Sequence, residues 1–308
     1  MTTRSILSAA WFLCVYCLTA NVVLGQPADF KPPRLRDALS YYREGKKLHD
    51  AGDYPKALAF YNEAVRLAPD LTNCWLSRGN LWLEQKEYAK AIVEYTQASR
   101  TRPDLALPWY NRGVAQERLQ DREAAEADFT AAIRLDPDMI NAWYERGRLR
   151  YDREQYPAAA LDFTEVIKRD PSRVEAYRQR AVALHDAGDF DAAIADYSEV
   201  IKHQPRAAAG YSNRGLAYLD KRDAPTALAE FDLAIQIDPR YAAAHNHRGL
   251  ALHVLKRYPE AIAAFTEAIR LSPRYADAYY NRGGAHLKHG DGASAEADFL
   301  TAQRLQNE

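Results

Sequence analysis

Alanine and aromatic residues recur along this chain at helical spacing inside a longer fixed period. One alanine column runs Ala57, Ala91, Ala125, Ala159, Ala193, Ala227, Ala261 and Ala295. Four residues after each stands a ring: Tyr61, Tyr95, Phe129, Phe163, Tyr197, Phe231, Phe265 and Phe299. A glycine column from Gly45 to Gly283, interrupted only by Ala181, keeps the same step. Four residues before it lie Tyr41, Trp75, Trp109, Trp143, Tyr177, Tyr211, His245 and Tyr279. Apolar residues three and four apart give a helix one buried stripe, and strand-like alternation is absent. Prolines at 69, 103, 137, 171, 205, 239 and 273 close each period of 34 residues, ending a helix that they cannot continue. Such a period marks a solenoid of stacked helical pairs.

With the proline at position 32, the units are 38–71, 72–105, 106–139, 140–173, 174–207, 208–241, 242–275 and 276–308. Glycine at position 8 and alanine at 20 let two backbones approach, while the rings at 4 and 24 fill the gap between layers. Polar turns such as Ala51-Gly52-Asp53 and Ala187-Gly188-Asp189 join the two helices of a unit. These columns resemble the tetratricopeptide repeat family, whose pattern is Trp, Leu, Gly, Tyr, Ala, Phe, Ala and Pro at positions 4, 7, 8, 11, 20, 24, 27 and 32. The resemblance covers residues 38 to 308 and implies an all-α, right-handed solenoid of about eight helix-turn-helix repeats.

The main departure is position 7, where arginine replaces leucine at 78, 112, 146, 180, 214, 248 and 282. Position 23 is acidic in most of the same units, as Glu94, Asp128, Asp162, Asp196, Glu230 and Asp298. Positions 7 and 23 face each other in an antiparallel hairpin, so structural ion pairs are expected rather than a ligand ladder. Unit 1 lacks both members, with Glu44 and Phe60, whereas unit 7 sets Arg248 opposite Ala264.

Residues 1–25 stand outside the repeat. A short head with Arg4, an apolar stretch from Ile6 to Leu24 and small residues before Gln26 read as a secretory signal peptide cleaved after Gly25. The stretch is nearly long enough to span a bilayer, so an uncleaved anchor is the competing reading. Residues 26–37 read as a linker. In the last unit, Glu296 and Gln303 replace apolar residues of earlier units, the pattern expected of a terminal helix with no following neighbour.

Without residues 1–25 the chain carries 40 Lys and Arg against 42 Asp and Glu, no footprint for nucleic acid. Cys74 is then the only cysteine, and its place inside a helix predicts a packed thiol. Arginine in excess of lysine and abundant alanine point to a GC-rich bacterium. No nucleophile elbow, phosphate loop, dinucleotide motif or metalloprotease helix occurs, so neither an enzyme nor a cofactor is expected. His245, His247, His253, His286 and His289 crowd into the last two units. His286 and His289 stand one helical turn apart, but no cysteine or carboxylate completes a metal set.

In the family this chain resembles, the first helices line a concave face through positions 2, 5, 6, 9, 12 and 13. Position 6 holds Asn111, Glu145, Gln179, Asn213, His247 and Asn281 in units 3 to 8. The column is similar to the asparagine ladder of O-linked N-acetylglucosamine transferases, where amides grip the backbone of an extended peptide, because an amide both donates and accepts. Glu145 and His247 interrupt it. Tyr110, Tyr144 and Tyr280 at position 5, with Asn80, Arg148 and Arg178, add a recognition mixture of apolar bodies and polar tips. The carboxylate clamp of some family members is not matched: Asn80 and Asn111 fall on its asparagine places, but Leu76, Asn141 and Glu145 occupy its cation places. Acids outnumber bases on this face, which favours neutral or basic partner segments.

The reading is an exported, periplasmic or secreted, non-enzymatic scaffold that holds a protein or peptide in the groove. The alternative is an assembly factor anchored in the membrane by residues 6–25. Self-association is open, as solenoid edges can pair.

Overall fold

The computed structural model describes residues 33–307. The leader at 1–25, whether signal or anchor, therefore lies outside the described residues. Within them are sixteen helices and no strand. No described helix is long and apolar enough to cross a membrane. Two compact units divide between Asp104 and Leu105. Unit 1 holds α1 (Pro33–Asp50), α2 (Tyr54–Leu67), α3 (Thr72–Glu84) and α4 (Tyr88–Thr101). In unit 2, six hairpins follow: α5 (Ala106–Arg118) with α6 (Arg122–Leu135), α7 (Ile140–Asp152) with α8 (Tyr156–Arg169), and α9 (Val174–Asp186) with α10 (Phe190–His203). The remaining three pair α11 (Ala208–Asp220) with α12 (Ala224–Ile237), α13 (Ala242–Val254) with α14 (Tyr258–Leu271), and α15 (Ala276–His289) with α16 (Gly292–Gln306). Helix α1 begins at Pro33, inside the stretch read as linker, because proline is tolerated in the first helical turn.

The boundaries follow from local chemistry. Asp53, Asp121, Asp189, Asp223 and Asp291 cap the second helices, each accepting a bond from the backbone N–H three residues on. Just before this cap the chain turns left-handed, and only three of the eight residues there are glycine: Gly52, Gly188 and Gly290. Lys86, Gln120, Glu154, Arg222 and Lys256 hold φ between 59° and 69° at the same position. A side chain there costs about 1–2 kcal/mol. Glu154→Gly and Lys256→Gly are each expected to stabilise the protein by about 0.5–1 kcal/mol after the entropy of the freer glycine is counted. Gly188→Ala should destabilise it by about 1 kcal/mol. Urea denaturation of the three variants checks the signs.

The position 24 rings are the core: Tyr61, Tyr95, Phe129, Phe163, Phe231 and Phe265 are fully buried. They lie where a side chain on the facing glycine would stand; a Cβ on Gly147 would meet the Phe163 ring at 2.9 Å. The position 4 rings pack between layers as expected, Trp109 and Trp143 against Ala132 and Ile133. They also clasp the preceding unit, Trp143 Nε1 donating to the Pro137 carbonyl at 2.9 Å and Tyr211 to that of Pro205 at 3.2 Å. His245 makes the same bond to Pro239 at 3.0 Å.

The position 7 arginines meet the position 23 acids. Arg112–Asp128, Arg146–Asp162, Arg180–Asp196, Arg214–Glu230 and Arg282–Asp298 are two-pronged pairs, each carboxylate nearly buried. The arginines also lie over the position 4 rings, Arg146 at 4.9 Å from the centre of Trp143. The third guanidinium nitrogen, Nη1, reaches back 16 residues: Arg146, Arg180, Arg214 and Arg282 donate to Thr130, Thr164, Ser198 and Thr266 of the preceding unit. Between α3 and α4, Arg78 meets Glu94 through one bond only, leaving Arg78 Nε and Glu94 Oε2 buried without a partner. Burial holds the Glu94 carboxyl above its ordinary pKa despite Arg78. Cys74 is fully buried, and burial pushes its thiol up to about 12, so it is a packing residue.

Candidate functional site

The first helices of unit 2 share one face, and side-chain bonds 35 residues apart register it. Ser212 Oγ lies 2.8 Å from His247 Nδ1, and Asn281 donates to Asn246 at 3.0 Å, so position 5 of one helix meets position 6 of the next. Tyr151 donates to Asp186 at 2.5 Å and His185 joins Asp220 at 2.7 Å, linking position 12 to position 13 of the next helix. The same register appears separately in unit 1, where Tyr42 meets Ser77 and His49 meets Glu84.

The candidate residues divide by how far the fold already uses them. Tyr110, Tyr144 and Tyr280 each pack against the core ring of their own hairpin, with centroids 5.7, 5.7 and 5.4 Å from Phe129, Phe163 and Phe299, Tyr144 edge-on and the other two tilted. Burial raises the pKa of Tyr110 and Tyr144, whereas Tyr280 is 61 % exposed. Arg173 covers Tyr144 at 4.2 Å. Arg148 pairs with Glu145 at 2.7 Å, and Arg178 with Glu175 at 2.6 Å. Gln179 donates to Glu175 as well. Asn111 is half-buried on α5. Asn80 belongs to the other compact unit, where it accepts a bond from Tyr95 at 2.8 Å. The amide of Asn213 has no side-chain hydrogen bond to any described residue.

Sequence reasoning passed over Ser212 and Asn246, the buried partners of His247 and Asn281. The signal was present: both stand at position 5, where four of the other six repeats carry tyrosine, and a small polar residue there admits a bond to the neighbouring helix. Among the described residues, no group of three His, Cys, Asp or Glu is disposed to hold a metal.

His247 is mostly buried, packed 5.6 Å from the Phe231 ring, and burial lowers its pKa to about 4. The unfolded chain, at about 6.5, binds the proton first. The stability tied to neutral His247 is therefore complete above pH 6.5 and is lost as pH falls towards 4. The loss is expected to reach roughly 2–4 kcal/mol. His247→Asn, which copies Asn213 and Asn281, should flatten that part of the stability–pH curve, and chemical denaturation at pH 7, 5.5 and 4 measures it.

Comparison with known proteins matches this arrangement to one family. Models of the TPR repeat match residues 79–120 and 251–290. Models of the tetratricopeptide repeat match 110–174, 144–201 and 178–242, and a further one 38–71. No curated protein matches the chain. Among solved structures, YrrB, described as a TPR protein with an unusual peptide-binding site, is 22% identical, with a TM-score of 0.56 over 64% of this chain and 97% of its own. A tetratricopeptide repeat protein from Parabacteroides merdae is 19% identical, with a TM-score of 0.53 over 81% of this chain and 99% of its own. The C-terminal part of a TPR repeat-containing protein from Cytophaga hutchinsonii is 16% identical, with a TM-score of 0.61 over 75% of this chain and 95% of its own. At these identities the likeness is one of fold. Helical hairpins at a fixed 34-residue step, repeat models spread from residue 38 to 290 and structural neighbours of the same architecture place the chain in the tetratricopeptide repeat family.

Proposed function

We propose that this chain is an exported, non-enzymatic scaffold that binds a peptide or protein segment on the first-helix face of unit 2. Tetratricopeptide repeats are in general protein–protein interaction scaffolds, and the face has the composition for that work: half-buried amides, tyrosine edges and paired charges. The observation that carries the reading is the Asn213 amide. It is half-buried at the middle of the face with its donor and acceptor unused by any described side chain. Asn111 and Asn281 occupy equivalent positions on α5 and α15, and an amide at such a place can both donate to and accept from a peptide backbone whatever the peptide's side chains. YrrB shows that the same fold carries a peptide-binding site. Export rests on the sequence of residues 1–25, and the mass of the mature chain tests it.

The test is a four-residue replacement, Asn111, Tyr144, Asn213 and Asn281 to Ala, compared with the parent in affinity capture from envelope extract. A protein retained by the parent and lost by the variant is the expected result. Equal capture by both would move binding to the opposite face or the edges. Thermal denaturation of the variant separates lost recognition from lost fold, since Tyr144 also packs on Phe163 and Asn281 bonds Asn246.

A further inference from the structure

In unit 2 each hairpin meets the next through the same few positions. Position 5 bonds position 6 of the following hairpin and position 12 bonds position 13, as at Ser212–His247 and Tyr151–Asp186. Position 25 accepts from the following arginine at position 7, as Thr130 does from Arg146. Position 28 packs on position 3: a Cβ on Gly210 would stand 3.1 Å from Ile201. The position 32 carbonyl accepts from the following ring at position 4. These contacts give every hairpin a leading and a trailing side.

On α15–α16, which has no described hairpin after it, the trailing side is apolar at the points of attachment. Tyr280, Leu287 and Leu300 stand at positions 5, 12 and 25, and are 61 %, 58 % and 61 % exposed. Tyr144 and Leu219, at positions 5 and 12 of inner hairpins, are half-buried. At the place of Leu300 the six preceding hairpins carry Thr96, Thr130, Thr164, Ser198, Asp232 and Thr266. A solenoid end open to water is expected to be polar. Glu296 and Gln303 follow that rule, and the three residues at attachment points break it.

The leading side of α1–α2 departs from the repeat in a matching way. Glu44 and Phe60 replace the arginine and the acid of positions 7 and 23, and Glu44 bonds Lys47 at 2.9 Å. Tyr41, 37 % exposed, and Phe60 have ring centres 5.9 Å apart. With Ser40, Glu44 and Leu67 they line an open recess of about 500 Å³. Ser40, at position 3, is small yet exposed. At the same position Cys74, Ala142, Ala176, Ala244 and Ala278 are buried, their size set by the hairpin stacked in front of them.

We infer that the trailing side of α15–α16 seats on the leading side of α1–α2 of a second copy, in the register that the chain uses inside itself. That register sets Leu300 against Glu44 beside Phe60, and Gln303 against Ser40. It sets Tyr280 against Arg43, an exposed cation that a ring face attracts. Tyr41 then reaches the Asn307 carbonyl as Tyr211 reaches that of Pro205. Both halves of an internal polar contact are exchanged together, the arginine for Glu44 with Phe60 and the hydroxyl for Leu300. The contact between copies is therefore apolar where the internal ones are polar. Each copy presents one side of each kind, so the contact is heterologous and association runs past the dimer unless a ring closes. This goes beyond the scaffold reading and does not depend on it.

Sedimentation velocity of the purified protein over a wide range of concentration tests this, and the parent is expected to grow in mass with concentration. Leu300→Glu blocks the trailing side by setting a carboxylate against Glu44. Ser40→Arg blocks the leading side by its bulk. Each should weaken association at least about tenfold. Both positions are exposed, so the fold is kept, which circular dichroism checks. A mixture of the two variants should form one-to-one pairs and nothing larger, since one open side of each kind remains. Glu44→Arg added to Leu300→Glu should restore assembly, because Arg248 and Asp232 make that pair inside the chain at 2.7 Å. A parent that stays monomeric, or an oligomer that both variants leave intact, overturns the inference. So does an oligomer lost on Leu300→Glu and kept on Ser40→Arg, which would join two trailing sides. A monomeric parent that captures an envelope protein and loses it on Leu300→Glu would give the trailing side to a different partner, again against the inference.

Discussion

Asp162→Ala is expected to cost unit 2 about 3–5 kcal/mol, read as a fall in the urea midpoint. Asp162 is 2 % exposed and accepts bonds from Arg146 Nε at 3.0 Å, Arg146 Nη2 at 2.7 Å and Arg150 Nη1 at 3.0 Å. Removing it strands a guanidinium that is itself 7 % exposed. Arg150 keeps Glu126 at 2.9 Å, but Arg146 keeps only Thr130. The cost is therefore that of an uncompensated buried cation, not of a lost attraction. Asp162→Leu combined with Arg146→Leu restores an apolar position 7 of the family kind and should return to within about 1–2 kcal/mol of the parent. A double variant as damaged as Asp162→Ala would show that the arginine ladder supplies stability that packing cannot replace.

That ladder shows where the sequence was legible and where it stopped. Positions 7 and 23 face each other within a hairpin, so their pairing follows from antiparallel geometry alone. Arg248 opposite Ala264 broke the rule, and the structure supplies the reason. Arg248 bonds Asp232 at 2.7 Å, the residue 16 positions earlier, where other units place threonine or serine. The acid has moved from one side of the arginine to the other. Each such arginine stands 16 residues from both a forward and a backward partner, but the backward contact depends on how one hairpin stacks on the last. Hairpin geometry does not contain that distance.

The candidate face was legible only as a position on the helices. Helical periodicity places position 6 on the first-helix face, and the fold puts the column there. Which of those side chains are already engaged is set by neighbours on the next helix. Gln179 is turned to Glu175 and Asn281 to Asn246, because those partners stand one turn away or 35 residues away.

Phe265→Ala carries the other large expected effect, a loss of about 3–5 kcal/mol. The ring is fully buried among Leu252, Ala261, Ala264 and Ala285, so its removal opens a cavity between α13, α14 and α15 rather than a surface dent. In a solenoid each hairpin is held chiefly by its neighbours, so the damage falls on the contact between the last two hairpins. Gly249 tests the same ring from inside its own hairpin, where α13 packs on α14. A Cβ there would stand 2.5 and 2.6 Å from two Phe265 ring atoms, so Gly249→Ala forces the helices apart at about 1–3 kcal/mol. Ala181 already fills this position opposite Tyr197, which shows that a hairpin can accept the methyl group after adjustment and puts the cost towards the lower end. In the double variant the new methyl group enters the space the ring has left. Its cost is expected to fall short of the sum of the single costs by at least about 0.5 kcal/mol. Additive losses would mean that the glycine is required by the backbone of α13 and not by the ring it faces.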